Sequence, residues 1–482
     1  MEKTLKEKTA KGLLWGSLNN TFMQLMGLVF GIILGRLLSP SDYGMMAMIV
    51  IFSAIAGNIQ DSGFKAALIN QKEIRHEDYN SVFWFNVVTS LCIYAILFFC
   101  APLIALYYRT PELIPLCRYS FIGFVFASLN IAQSSYLAHE LRFEEMAKGG
   151  MTAITISSIT GAVMAFLGCG YWSLATQSIL FIGINAMMSW YYSPWRPTFE
   201  FSFAPIKRMF PFSVKMLITT IFNSINNNVL NIILGRYYSK HDVGNYYQGN
   251  QWNTKGYTLV QGTIGNVAQP VLASVKEDNN RQVRVFSKMI RFTALISFPL
   301  MFGLALVADE FIVITITSKW IASAALMKIL CIGGAFVPIA NTFSNLIVSK
   351  GKSNIFMWCT MSISIAQIAF MVILSGYGIR TMVMGFTCLT ILSTLLWQYF
   401  AHRLTGYNIM RLFKDIAPFI LASAGTMIST YYITHEITNI YLLLISRIII
   451  AATIYCAIMK IARVKIFDEC VSFILQKIHT EK

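Results

Sequence analysis

Apolar residues run along this chain in long blocks broken by short polar punctuation, with neither the alternation of a half-buried strand nor the single stripe of a surface helix. Fourteen blocks stand out, roughly 12–38, 43–61, 82–107, 115–138, 149–168, 171–193, 211–235, 244–272, 288–308, 321–347, 354–376, 380–401, 414–433 and 441–461. Most approach the roughly 20 residues a helix needs to cross the hydrocarbon core of a bilayer. A transmembrane barrel would show shorter, alternating segments, so the pattern predicts an all-α polytopic membrane protein of about fourteen helices. Beyond the last block, Phe467, Cys470, Val471, Ile474, Leu475 and Ile478 fall at helical spacing and predict an amphipathic helix lying on the membrane surface.

Composition agrees. Of the 482 residues, 56% are hydrophobic and only 12% charged, with mean hydropathy +0.59. A net charge of +16 would suggest nucleic acid in a soluble protein. Here its source is the distribution of Lys and Arg: with the N-terminus inside, and residues within three positions of a block end counted with the adjoining segment, 27 lie on the cytoplasmic side, 7 on the external side and 4 deeper within blocks. That asymmetry predicts cytoplasmic N- and C-termini and excludes a nucleic-acid partner. The lysine-rich start before the first apolar block resembles a signal peptide, but the block is long, carries Asn19 and Asn20 and has no small-residue cleavage site, so it reads as a retained span. Nine scattered cysteines without a CxxC pair predict neither a disulfide framework nor a metal site, and no cofactor is expected. No segment between spans exceeds about twenty residues, which leaves no room for a soluble catalytic domain.

An internal repeat organises the rest. Ile32–Gly44 (IILGRLLSPSDYG) recurs as Ile232–Gly244 (IILGRYYSKHDVG), with eight of thirteen positions identical. Six spans separate the copies, so both cross the membrane in the same direction: a parallel repeat about an axis along the membrane normal. The proline-rich, basic stretch 193–211 reads as a linker. The expected organisation is a six-helix lobe with its linker over 1–208, a second six-helix lobe over 209–403, and two further helices with the amphipathic tail over 404–482, the lobes flanking a central cavity. Within each motif, Gly-Arg ends one helix and the Ser and Asp that follow cap the next, a structural role. Arg36 and Arg236 are alternatively placed to attract anions at the outer mouth.

Two spans are unusually polar. The seventh carries Asn223, Asn227 and Asn231 on one face, with Ser224 and Asn228 on the adjacent strip. Amides facing lipid would go unsatisfied, so they either glue helices together or line a wet wall. The eighth, GNYYQGNQWNTKGYTLVQGTIGNVAQPVL, puts Gln248, Gln251, Trp252, Lys255, Thr258 and Asn266 near one face. It is recognisable as a span mainly because it aligns with the apolar second span; an external loop dipping back is the alternative. Amides can hydrogen-bond sugar hydroxyls, and Trp252 offers a flat face to a pyranose ring. Four basic residues lie more than three positions inside a span: Lys255, Lys215, Lys328 and Arg447, the last outside the paired lobes and read as structural. No carboxylate sits clearly mid-membrane. Buried cations need a wet cavity or a visiting anion, so the residues predict a carrier for anionic, sugar-bearing substrates. Lys255, Lys215 and Lys328 are expected to meet phosphate, with Gln248, Gln251, Trp252, Asn253, Asn223, Asn227 and Asn231 along the sugar path.

Residues 11–70, from Lys11-Gly12-Leu13-Leu14-Trp15 through the first repeat motif to Gln60-Asp61-Ser62-Gly63-Phe64, resemble the start of polysaccharide exporters of the MOP superfamily, the O-antigen and colanic-acid flippase type. Val82-Phe83-Trp84-Phe85-Asn86, Tyr171-Trp172-Ser173-Leu174, Trp195-Arg196-Pro197, Gly244-Asn245-Tyr246-Tyr247 and Gln269-Pro270-Val271-Leu272 extend the resemblance, in order, over about the first 400 residues. It implies a MATE-like fold with alternating access and an undecaprenyl-pyrophosphate-linked oligosaccharide as cargo. Membrane lipids, polysaccharide polymerase and glycosyltransferases are the partners expected, and the protein is expected not to be an enzyme. A cation-coupled multidrug antiporter would need acidic residues inside the membrane. A polymerase or acyltransferase would show a large external loop or a reactive His-Asp pair; His241-Asp242 occupies the repeated turn, where capping is the simpler role.

Overall fold

The computed structural model describes residues 5–61, 68, 74–275, 277–470 and 472. Among these there are helices and turns but no strand. The helices are α1 (Leu5–Leu37), α2 (Pro40–Asp61), α3 (His76–Tyr108), α4 (Leu113–Ser120), α5 (Gly123–His139), α6 (Phe143–Phe166), α7 (Tyr171–Tyr192), α8 (Phe203–Tyr237) and α9 (Lys240–Ser274). They continue as α10 (Asn279–Leu306), α11 (Ala308–Ile316), α12 (Ile321–Gly334), α13 (Val337–Ser349), α14 (Ser353–Leu374), α15 (Ile379–Thr405), α16 (Ile409–Thr434) and α17 (Ile440–Ile461). A short helical stretch over 465–470 opens the predicted amphipathic tail, whose remaining apolar positions (471, 474, 475 and 478) lie outside the described residues.

Length and composition qualify 11 stretches among the described residues as membrane spans. α7, α8 and α9, with 22, 35 and 35 residues, are long enough to cross but too polar to qualify on composition. The chain is a multi-pass α-helical membrane protein. α9 is one continuous helix, so the dipping-loop alternative for the eighth span falls.

Two expected spans are not single helices. The fourth breaks between α4 and α5 at Phe121-Ile122, just before Gly123. The tenth breaks between α12 and α13 at Ala335-Phe336, between Gly333-Gly334 and Pro338, residues that weaken a helix by chain entropy and by a missing N–H. The Ala335 carbonyl freed at the second break accepts a 2.8 Å bond from Ser297 Oγ. The connection read as an external loop after the ninth span carries the short helix α11.

Contacts divide the chain into two compact units, Met1–Gly244 and Asn245–Lys482. In the first, α6 packs on α1 and α7, α5 on α3 and α7, and α8 on α2 and α3. The stretch after α7 is clasped to the start of α3: Trp84 Nε1 donates to the Thr198 carbonyl at 2.6 Å, the Thr198 N–H to Asn80 Oδ1 at 2.9 Å, and Trp195 Nε1 to His76 Nδ1 at 3.1 Å. Trp195 thereby enters the apolar cluster of Tyr79, Val82 and Phe83, which joins two of the sequence motifs into one knot. In the second unit, α10 packs on α16 and α12, α15 on α12, α13 and α14, and α16 on α17. Asp278, Asn408 and Asn439 cap α10, α16 and α17 by accepting from backbone N–H groups of the first turn.

Both copies of the repeat fold as a reciprocal cap. Ser39 Oγ donates to Asp42 Oδ2 at 2.6 Å while the Asp42 N–H reaches back to Ser39 Oγ at 3.3 Å; Ser239 and Asp242 repeat this at 2.7 and 3.2 Å. The copies also touch. A Cβ on Gly44 would strike the Lys240 carbonyl, and one on Gly244 would strike the Pro40 carbonyl. The repeated glycine is therefore set by a backbone-to-backbone approach that any side chain would block.

Candidate functional site

On α8 the two polar strips separate by role. Asn58 Nδ2 of α2 donates to Ser224 Oγ at 2.7 Å and to the Thr220 carbonyl at 3.2 Å, and Asn228 Nδ2 donates to the Ser224 carbonyl at 2.9 Å. This strip binds α8 to α2. On the other, Asn231 is buried and donates to Asn228 Oδ1 at 3.3 Å. Asn223 is half-buried and Asn227 exposed, neither with a hydrogen-bond partner among the described residues. The side chain of Lys215, also on α8, lies outside the described residues.

On α9, Trp252 is buried with its ring edge-to-face against Phe311 of α11, centroids 4.8 Å apart. The Lys255 ammonium lies 4.4 Å from the Trp252 centroid, a cation–π contact one helical turn apart. Lys255 is half-buried and has no carboxylate partner among the described residues. Gln248 is buried, and Gln251 hydrogen-bonds the Tyr247 side chain. Asn253 is buried, donates to Asn250 Oδ1 at 3.4 Å, and presses against Gly334 beside the α12–α13 break, where a Cβ would collide with it. Of these α9 residues, Trp252 is the one that touches Lys255, and its packing on Phe311 fixes the ring under the ammonium. Asn266 falls on residues whose side chains are outside the description.

Lys328 and Arg236 are engaged by protein groups. Lys328 on α12 pairs with Asp309 on α11, both partly exposed. Arg236 donates to the Tyr107 carbonyl at the end of α3 and lies 5.3 Å from the Tyr107 ring; Arg36 is exposed at the end of α1. Two carboxylates, Asp415 and Glu310, are deeply buried, each against an arginine. Asp415 accepts from Arg291 Nε at 2.6 Å, from Tyr407 at 2.8 Å and from Ser287; Glu310 pairs with Arg447 at 2.7 Å. Lys255 differs from Lys328, Arg291 and Arg447 in having no carboxylate partner among the described residues.

The described residues form an all-helical, multi-pass membrane protein. The sequence profile of a family described as "Polysaccharide biosynthesis protein" matches residues 33–325, more than half of the chain. The chain belongs to that family. It is 23% identical over 430 residues to the teichuronic acid biosynthesis protein TuaB of Bacillus subtilis (strain 168), covering 88% of this chain and 89% of that one. It is 24% identical over 464 residues to the succinoglycan biosynthesis transport protein ExoT of Rhizobium meliloti (strain 1021), covering 94% and 93%. Its fold matches the lipid II flippase MurJ in an inward closed conformation with a TM-score of 0.75 at 18% identity, over 93% of this chain and 98% of that one.

Proposed function

We propose that this protein is a flippase that carries an anionic oligosaccharide, linked to undecaprenyl pyrophosphate, across the cytoplasmic membrane by alternating access for cell-surface polysaccharide synthesis. Three findings support the reading: membership of a polysaccharide biosynthesis family, a relative named as a succinoglycan transport protein, and a fold shared with a lipid-linked sugar flippase. The observation that carries it is Lys255, a cation on the wettest long helix with an aromatic ring beneath it and no acid beside it among the described residues. A pyrophosphate is the counter-charge such a site lacks. Lys328 joins by exchanging Asp309 for phosphate; Lys215, Arg36 and Arg236 are the phosphate-attracting cations of the first unit in this reading. Gln251, Asn223 and Asn227 face the sugars, while Gln248, Trp252, Asn253 and Asn231 support them from buried positions. Moving one negative charge outward gains about 2.3 kcal/mol per 100 mV of inside-negative potential, which drives export without a proton relay.

The repeat-derived lobes, 1–208 and 209–403 with 404–482 appended, and contact with a polymerase and glycosyltransferases, belong to this reading. So does an arrangement with both termini cytoplasmic: a fluorescent protein fused after Lys482 is expected to fluoresce and an alkaline phosphatase fusion there to be inactive, and the opposite pair of results overturns the orientation. In a deletion strain, lipid-linked oligosaccharide is expected to build up on the inner leaflet and wild type to cure it. Lys255→Ala is expected to lower export about ten- to a hundredfold at normal protein level, the worth of a charged hydrogen bond, with Lys255→Arg retaining part. Full complementation by Lys255→Ala would remove the cationic site from the reading.

A further inference from the structure

Inside the first compact unit, three helices converge on a cavity of about 310 Å³, of mixed amide, hydroxyl and apolar lining, that the sequence does not single out. α2 brings Ser53 and Asn58, α5 brings Asn130 and Ser134, and α7 brings Phe181 and Asn185. Asn130 with Ser134 and Phe181 with Asn185 are four residues apart and so share a helix face, while Ser53 and Asn58 reach the cavity from adjoining strips of α2 together with Ala54 and Gly57. Among the described residues no Lys, Arg, His, Asp or Glu lines it, which makes it a poor phosphate site. Its amides and hydroxyls supply donors and acceptors together, as sugar hydroxyls require, and Phe181 adds an aromatic ring for the apolar C–H edge of a pyranose. Two details show unspent capacity. Asn130 Oδ1 is buried with no hydrogen-bond partner, a state buried polar atoms rarely hold. Asn58 spends its N–H donors on α8, leaving its carboxamide oxygen as an acceptor. The volume is at the small end for ligand pockets, suited to a single ring and not to a polymer or a lipid chain.

We propose that this cavity binds an uncharged sugar ring of the cargo through Asn130, Asn185 and Asn58. The assignment rests on the flippase reading and adds to it a division of labour: the charged pyrophosphate is met by cations elsewhere, and a neutral glycosyl unit is read by amides within the first unit.

The test compares two probes on the purified full chain in nanodiscs: undecaprenyl-pyrophosphate-linked oligosaccharide extracted from the source membranes, and sugar-free undecaprenyl pyrophosphate. Asn130→Leu/Asn185→Leu is expected to weaken binding of the glycosylated lipid about tenfold or more while leaving the sugar-free lipid within about twofold, since two hydrogen-bonding amides are lost and no charge is. Asn130→Ser/Asn185→Ser, which keeps a polar group, should show the same selectivity with a smaller loss and covers the case in which the leucine pair fails to fold. Equal loss of both lipids, or no loss of either, overturns the cavity assignment and leaves the flippase reading standing. Wild-type protein that binds neither lipid overturns the flippase reading, and the cavity assignment with it.

Discussion

Gly44→Ala is expected to lower the thermal stability of the purified protein sharply and to abolish complementation of surface polysaccharide, although it adds a single methyl group. The new Cβ would sit on the Lys240 carbonyl, and the obstacle is backbone, so no rotamer change relieves it. Overpacking of a dense interior typically costs about 1–3 kcal/mol; here the two chain segments must move apart, so a loss of about 3 kcal/mol or more is expected. Gly244→Ala should do the same against the Pro40 carbonyl. Because one separation relieves both clashes, the double variant should lose clearly less than the sum of the two singles. Gly27→Ala on α1, where an added Cβ meets nothing within 4 Å, is the control and should be neutral or slightly stabilising. Wild-type melting and full complementation by Gly44→Ala would show that the two motif copies do not pack on each other in the working protein.

That contact shows what a sequence repeat does and does not reveal. Ser39, Asp42, Ser239 and Asp242 are local signals: a capping box is closed within four residues, so its spacing is enough to read it. Gly44 and Gly244 are identical for a reason spread over 200 residues, the crossing of two backbones, and sequence alone offers only their identity. The long apolar blocks carried the helices in the same local way. The breaks at 121–122 and 335–336 were partly legible, since Gly123, Gly333, Gly334 and Pro338 mark them, but apolar residues on both sides hide them from any hydropathy window. They fall in the fourth span of each expected lobe, and interrupted helices in corresponding positions of two repeats are a pattern that repeat reasoning could have sought.

The candidate site was legible where polar residues crowd one helix and obscure where they are dispersed. Lys255 with its amide neighbours stands out on α9, but that Trp252 lies under Lys255 and against Phe311, and not open on one side, depends on where α11 folds. Asn58, Asn130 and Asn185 are single amides in three apolar helices, each unremarkable until packing faces them into one cavity. Glu310 and Asp415 look like loop and edge carboxylates in sequence; the arginines that bury them lie 137 and 124 positions away in the chain.

Arg447→Leu is the second large effect expected, and its character should differ from that of Lys255→Ala. The Arg447 side chain is 8% exposed and that of Glu310 9%, and the guanidinium also donates to the Leu306 carbonyl at 3.2 Å and to Thr434 Oγ1 at 3.3 Å. It therefore ties α17 to α10, α11 and α16 at one point. Removing it strands the Glu310 carboxylate, whose Oε2 already lacks a partner, and breaking one side of a buried pair typically costs about 3–5 kcal/mol. Arg447→Leu/Glu310→Leu removes both charges and should recover most of that loss, because an apolar pair of similar volume escapes the desolvation penalty. Thermal unfolding in detergent and protein abundance in the membrane measure both effects. If Arg447 serves packing, export should fall in proportion to abundance and return with the double variant. Lys255→Ala should instead cut export at unchanged abundance and melting temperature. A double variant that regains stability but stays silent in export would move Arg447 from the scaffold to the cationic path.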